Sequence, residues 1–255
     1  MQTAVVVTGV NGGIGAAIAK HLLQQGYAVL GIDLQPETAL PLNAYWPINL
    51  DKLVSSQDLQ TQLKHNIDQY LQQNKTALVA LVNNAAVQIL DGVEAVAMSD
   101  FLLTQKVNVA APLLLSQLCL PYMKDKKDKK DKKEAVIINI GSIHAELTKP
   151  AFISYATSKA AIKGLTQAMA VDLAGEARVN CIEPAAIATE MLLDGFKDTP
   201  EKFAELEEHH PSGEIGTPEQ VAELCYFLVS AKMPFLNGAC IGLNGGIGAR
   251  LHDPI

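Results

Sequence analysis

Positive charge is scarce in this chain. Its 20 lysines and arginines are outnumbered by 27 aspartates and glutamates, leaving a net charge of −7 and a pI near 5.4. That balance argues against a surface for nucleic acid. Long apolar runs are missing too: no stretch reaches the ~18 apolar residues of a membrane span. The first residues, MQTAVVVTG, lack a basic leader and read as a β-strand, not a signal peptide. The four cysteines, Cys119, Cys181, Cys225 and Cys240, are scattered with no C-x-x-C pair. No metal is expected from that spacing; it predicts buried, reduced thiols in a cytoplasmic protein.

What is present is apolar bulk. Hydrophobic residues make up 49% of the 255, enough for one large α/β domain over 1–255. Short apolar runs at 4–8, 28–32, 45–48, 78–82, 135–140, 178–182 and 239–243 read as strands. Residues 4–8 are apolar without alternation, as expected of a strand buried on both faces. Between the strands lie segments with helical spacing at 14–25, 59–71, 101–123, 155–173 and 218–230. Strand and helix in alternation predict a parallel sheet with helices on both faces. Residues 124–134, KDKKDKKDKKE, cannot bury anything and read as a charged, solvated surface insertion.

The first strand runs into Thr8-Gly9-Val10-Asn11-Gly12-Gly13-Ile14-Gly15, and a helix follows at once. A helix start offers unpaired N–H groups and a positive dipole end, which suit a pyrophosphate. The next strand ends on Asp33, whose carboxylate suits ribose hydroxyls and repels a 2′-phosphate. No Arg or Lys stands at Val10, Asn11 or 34–38, so NAD is expected over NADP.

With these features, other segments resemble the short-chain dehydrogenase/reductase family. Asn83-Asn84-Ala85-Ala86 is similar to its N-N-A-G, and Val107-Asn108-Val109 lies within the long helix as in the family. Ser142 precedes Tyr155-Ala156-Thr157-Ser158-Lys159 by the usual interval. Pro184 to Thr189 resembles P-G-x-I-x-T, and Gly216-Thr217-Pro218-Glu219 and Leu243-Asn244-Gly245-Gly246 match the C-terminal signatures. The resemblance covers essentially the whole chain. Departures are Ala86 and Ala185 in place of glycines, and Asn49-Leu50 where the family often has Asp-Val.

The resemblance implies a doubly wound parallel sheet of the Rossmann type, with about seven strands. It implies an oxidoreductase moving a hydride between NAD(H) and a secondary alcohol or ketone. Tyr155 is then the general base or acid, Lys159 favours its phenolate and binds ribose, and Ser142 holds the substrate oxygen. A free tyrosine titrates near ~10, so a positive neighbour matters. Asn108 helps hold a relay water. Cofactor contacts fall on Gly9, Asn11, Gly12, Gly13, Ile14, Gly15, Asp33, Leu34, Asn49, Leu50, Asn84, Ala85, Ala86, Tyr155, Lys159, Pro184, Ile187 and Thr189. Ile187 and Thr189 hold the carboxamide. Substrate contacts fall on Ser142, His144, Tyr155 and Met191, the last in a substrate-loop segment at 190–215. His144 reads equally as a polar loop residue, and His209-His210 reads as a solvated pair. Similar proteins pair through the helices at 101–123 and 155–173, so a homotetramer or homodimer is expected. The alternative is a NAD-binding sensor or scaffold with little turnover. An enoyl reductase usually spaces Tyr and Lys more widely, and an extended epimerase is longer.

Overall fold

The computed structural model describes residues 2–123 and 135–251; the charged run 124–134 lies outside the described residues. Seven parallel strands form one sheet. They are β1 (Thr3–Thr8), β2 (Ala28–Asp33), β3 (Ala44–Pro47), β4 (Ala77–Asn83), β5 (Ala135–Ile140), β6 (Ala177–Pro184) and β7 (Cys240–Leu243), in the order β3-β2-β1-β4-β5-β6-β7. Both faces of the central strands are covered, which is why β1 and β5 are apolar without alternation.

Alternate residues of each strand feed different cores. Val5, Val7, Val82 and Ile138 pack with Ile18 and Leu22 of α1 (Gly13–Gln24) and with Val221 and Leu228 of α9 (Pro218–Ser230). On the other face, Val6, Leu81 and Ile137 pack with Leu63 and Ile67 of α3 (Gln57–Asn74), Leu115 and Leu118 of α5 (Ala111–Met123), and Met169 of α6 (Ile153–Asp172). Fully buried side chains such as Leu115 each contribute about 1.5–3 kcal/mol relative to exposure. No helix among the described residues is long and apolar enough to cross a membrane.

The predicted helix at 101–123 starts earlier and is not uniform. It comprises α4 (Met98–Gln105), a π turn at Lys106–Ala110, and α5. Short helices at α2 (Leu50–Ser55), α7 (Glu190–Gly195) and α8 (Pro200–His209) have no counterpart in the sequence reading. A buried polar ladder fixes α6 on the sheet. Asn83 Nδ2 donates to Asn139 Oδ1, and Asn139 Nδ2 donates to Thr166 Oγ1, each at 2.9 Å. Removing one member would strand its neighbours without water, so the ladder sets the register of β4, β5 and α6.

Candidate active site

The strand order turns back at β1, with β2 on one side and β4 on the other, and a crevice opens above their C-terminal ends. The loop after β1 carries Gly9–Gly15, β4 leads into Asn84–Ala86, β5 into Ser142, and β6 ends at Pro184.

The loop after β1 is held by a short exchange with the segment after β4. Thr8 Oγ1 accepts from the N–H groups of Asn84 and Ala85 at 3.0 Å, and Asn84 Nδ2 donates to the carbonyls of Thr8 and Gly9. Gly9 has φ +69°, and a Cβ there would lie 2.9 Å from Ala85 Cα. A Cβ on Gly15 would lie 1.9 Å from Gly9 O. Only glycine lets α1 start this close to β1. Gly12 precedes α1, and no side chain caps that helix. Its first N–H groups are therefore open to an anion.

Asp33 is held at the end of β2. Its Oδ2 accepts from Asn11 N at 2.9 Å and its Oδ1 from Gln35 N at 3.1 Å. Asn11 Nδ2 donates to Tyr45 Oη at 3.2 Å, and Tyr45 donates to Gln35 O. The carboxylate thus stays oriented beside exposed Leu34. An uncapped helix start and an anionic strand end together fit a nicotinamide dinucleotide. Asn49 and Leu50 are placed differently from each other. Asn49 Oδ1 caps α2 by accepting from Lys52 N, and the Leu50 side chain is buried in the core. Beyond Pro184, Ile187 is buried and bridges to Gly216, and Thr189 Oγ1 caps α7 by accepting from Leu192 N. Thr189 also lies over Gly13, with Cγ2 2.9 Å from where a Cβ would stand.

Tyr155 and Lys159 lie one turn apart on α6. Lys159 is buried, with Nζ 5.3 Å from the centre of the Tyr155 ring and donating to Ile140 O at 2.8 Å. Ser142 is buried at the end of β5, and its Oγ accepts from His144 N at 3.2 Å. That contact uses an acceptor position and leaves the hydroxyl proton for another partner. His144 stacks on Phe152 at 4.3 Å and meets the edge of the Tyr155 ring at 5.9 Å. Burial, with a smaller push from Lys149, holds the His144 pKa below its ordinary value.

Asn108 sits on the π turn with its side chain fully engaged. Oδ1 accepts from Val87 N, and Nδ2 donates to Val87 O and Ser158 Oγ. A hollow of 510 Å³ lined by Val93, Thr148, Pro150 and Phe152 lies beside the cluster, and none of Ser142, Asn108, Tyr155 and Lys159 lines it. Met191 lies in α7, and its side chain is outside the described ones.

His210 is a correction. It is buried rather than solvated, because the turn after α8 folds against Gly245, and its Nδ1 contacts Leu206 O at 2.8 Å. Another grouping has no sequence motif: Cys181, Glu183 and Cys240 converge where the start of β7 pairs with the second half of β6. Burial pushes the Glu183 carboxyl up, against the pull of Lys163.

A family model described as enoyl-(acyl carrier protein) reductase matches residues 9–248. The 2-(R)-hydroxypropyl-CoM dehydrogenase of Xanthobacter autotrophicus is 30% identical, over 96% of this chain and 98% of its own. The ligand-free aldohexose dehydrogenase of Thermoplasma acidophilum superposes with a TM-score of 0.86 at 27% identity, covering 100% of this chain and 97% of that one. A 4-hydroxyisoleucine dehydrogenase complexed with NADH superposes with a TM-score of 0.81 at 25% identity, covering 98% and 100%. A similar fold with a TM-score of 0.84 at 24% identity, covering 98% and 100%, is that of ElxO with NADP bound.

Proposed function

The chain belongs to the short-chain dehydrogenase/reductase family of oxidoreductases, and on that footing we propose that it interconverts a secondary alcohol and its ketone with NAD(H). The observation that carries this reading is the pairing of buried Lys159 with the Tyr155 ring, beside buried Ser142 at the end of β5. When bound, the nicotinamide supplies or accepts the hydride. The chain's own residues manage the proton. Ser142 Oγ, already accepting from His144 N, donates its hydrogen to the substrate oxygen and fixes it near Tyr155. The Tyr155 hydroxyl gives a proton to that oxygen in reduction, and its phenolate takes one back in oxidation. The Lys159 ammonium, held by Ile140 O beside the Tyr155 ring, binds the ribose hydroxyls of the cofactor. Asn108 and Ser158 act on the position of α6, and Asn108 also helps hold a water that links Lys159 to solvent.

NAD is preferred because the Asp33 carboxylate, clamped by Asn11 and Gln35, repels a 2′-phosphate and no Lys or Arg stands at 34–38 to receive one. An enoyl reductase is the second reading, favoured by the description of the matching family model. The one-turn spacing of Tyr155 and Lys159 argues for the carbonyl reaction. Assembly through α4–α5 and α6 remains part of the proposal. Leu115, Leu118 and Met169 are spent on the chain's own core, but Leu102, Leu113, Ala160 and Ala161 face outward. Such an enzyme works in the cytoplasm, where its free thiols stay reduced.

The test is turnover of secondary alcohols and ketones by the full chain with NAD or NADP, read from the near-ultraviolet absorbance of reduced nicotinamide. Turnover with NAD that Tyr155→Phe lowers by about 10²–10⁴-fold, with cofactor binding kept, supports the reading. NAD binding with silence across the panel supports a sensor instead.

A further inference from the structure

Cys181 on β6 and Cys240 on β7 are direct register partners, and Glu183 lies two residues further along β6. Side chains at these positions leave the same face of a parallel sheet. The two Sγ atoms and a Glu183 carboxylate oxygen all lie within 4.8 Å of one another. Cys181 is fully buried, and Glu183 is 8% exposed with a buried Oε1 that has no hydrogen-bond partner. Cys240 is half-buried and gives the cluster its way out to solvent. A buried carboxylate oxygen without a partner costs stability that an apolar side chain here would not. The neighbouring strand is shaped around the cluster. A Cβ on Gly141 would stand 2.6 Å from Cys181 Sγ and 3.1 Å from Glu183 Cγ.

We propose that Cys181, Glu183 and Cys240 form a binding site for one divalent cation of the zinc class. The donor set of two sulfurs and a carboxylate is one that zinc takes, and three protein ligands leave a fourth position for water. The spacing favours a cation over a disulfide. Two Zn–S bonds of about 2.3 Å at the tetrahedral angle hold their sulfurs about 3.8 Å apart, within the span of the cluster. A disulfide needs Cβ atoms about 3.8 Å apart, whereas side chains on neighbouring strands start about 4.8 Å apart. A cation bridges that gap without drawing the strands together. It also gives the orphaned Glu183 oxygen a partner. Two thiolates and a carboxylate around a dication keep one excess negative charge, and the ion pair of Lys163 with Glu146 lies next to it. The bound cation pins the short edge strand β7 to β6 beneath Gly141, one residue before Ser142. Its role is to brace this side of the site, and it is independent of the oxidoreductase reading.

The experiment uses the full chain, reduced and stripped with a chelator, and titrates it with Co²⁺ alone and then Zn²⁺. One equivalent of Co²⁺ is expected to give sulfur-to-cobalt charge-transfer absorption and the visible bands of a tetrahedral ion, and Zn²⁺ to displace it. Cys240→Ser should abolish most of the charge transfer, and Glu183→Gln should weaken binding by at least about tenfold while circular dichroism stays native. If Cys240→Ser fails to fold, Glu183→Gln alone carries the test. No charge-transfer band overturns the proposal. So does binding that both variants leave unchanged, which places the ion elsewhere. A reduced chain that binds no Co²⁺ but forms a Cys181–Cys240 disulfide with peroxide overturns it in favour of a redox pair.

Discussion

Asn108 Nδ2 donates a 2.9 Å hydrogen bond to Ser158 Oγ, and this bond ties the π turn before α5 to the helix that carries Tyr155 and Lys159. Ser158 Oγ in turn donates a hydrogen bond to Tyr155 O at 2.7 Å, so a single chain of contacts runs from Val87 to the backbone of Tyr155. The wider turn matters because a π turn adds a residue to the loop of the helix and re-aims the side chain on it. Asn108 and Ser158 are therefore positioning residues.

Replacing Asn108 with Ala leaves the Val87 N–H and the Ser158 hydroxyl short of partners in a dry interior. The expected cost is about 2–4 kcal/mol, read as a fall of about 5–15 °C in unfolding temperature. Turnover should fall with little change in KM. Ser158→Ala should do less harm, and the two losses should not add, because both variants break the same bond. Strict additivity in a double-mutant cycle would remove the coupling.

What could be read from sequence was local. The apolar run 135–140 and the helical spacing of 218–230 mark β5 and α9 because such patterns are written in neighbouring residues. The glycine loop after β1 is legible for the same reason. The π turn is not, since 106–110 has ordinary helical spacing and only the contact with Ser158, some fifty residues on, rewards it. His210 reads as polar and exposed, but its surroundings come from Gly245 on a distant loop. Cys181 and Cys240 join only through strand pairing, which the linear order of cysteines does not reveal.

Asp33 has two duties, and they can be separated. Asp33→Ala removes the charge and also the acceptors for Asn11 N and Gln35 N. Asp33→Asn keeps one oxygen for the loop and loses the charge. Both should lower the ratio of NAD to NADP affinity by at least about tenfold, equivalent to about 1.4 kcal/mol. Asp33→Ala should lower absolute NAD affinity further, because the loop loses its clamp. Titration of each cofactor against intrinsic fluorescence measures both, and an unmoved ratio in Asp33→Asn would remove charge as the selector.

Gly12 and Gly15 stand close in sequence but should respond in opposite ways to Ala. A Cβ on Gly15 meets Gly9 O at 1.9 Å and Asn84 Nδ2 at 2.6 Å, so the start of α1 must move off β1. A Cβ on Gly12 meets only Gly9 O at 3.5 Å, an ordinary contact. Gly15→Ala should cost about 1–3 kcal/mol of stability and much of the cofactor affinity. Gly12→Ala should unfold within about 2 °C of the parent. Equal unfolding temperatures for the two variants would contradict the packing described for the loop.

His144 gives the chain a pH dependence with a definite sign. Burial, then the nearby charge of Lys149, lowers its pKa in the folded chain below the 6.5 of a free imidazole. At a pH just under 6.5 the unfolded chain therefore binds the proton before the folded one does. The contribution to stability is complete above that pH and is lost as pH falls through the free value toward the folded one. Because His144 is only half-buried, solvent screens the effect, and the loss should amount to about 1–2 °C in unfolding temperature. His144→Phe keeps a ring against Phe152 while removing the titrating nitrogen and the contact with Thr148 Oγ1. Its unfolding temperature should be flatter between pH 7 and 5.5, by about that amount, than that of the parent. A variant whose slope over this range equals the parent's would show that the acid sensitivity arises elsewhere.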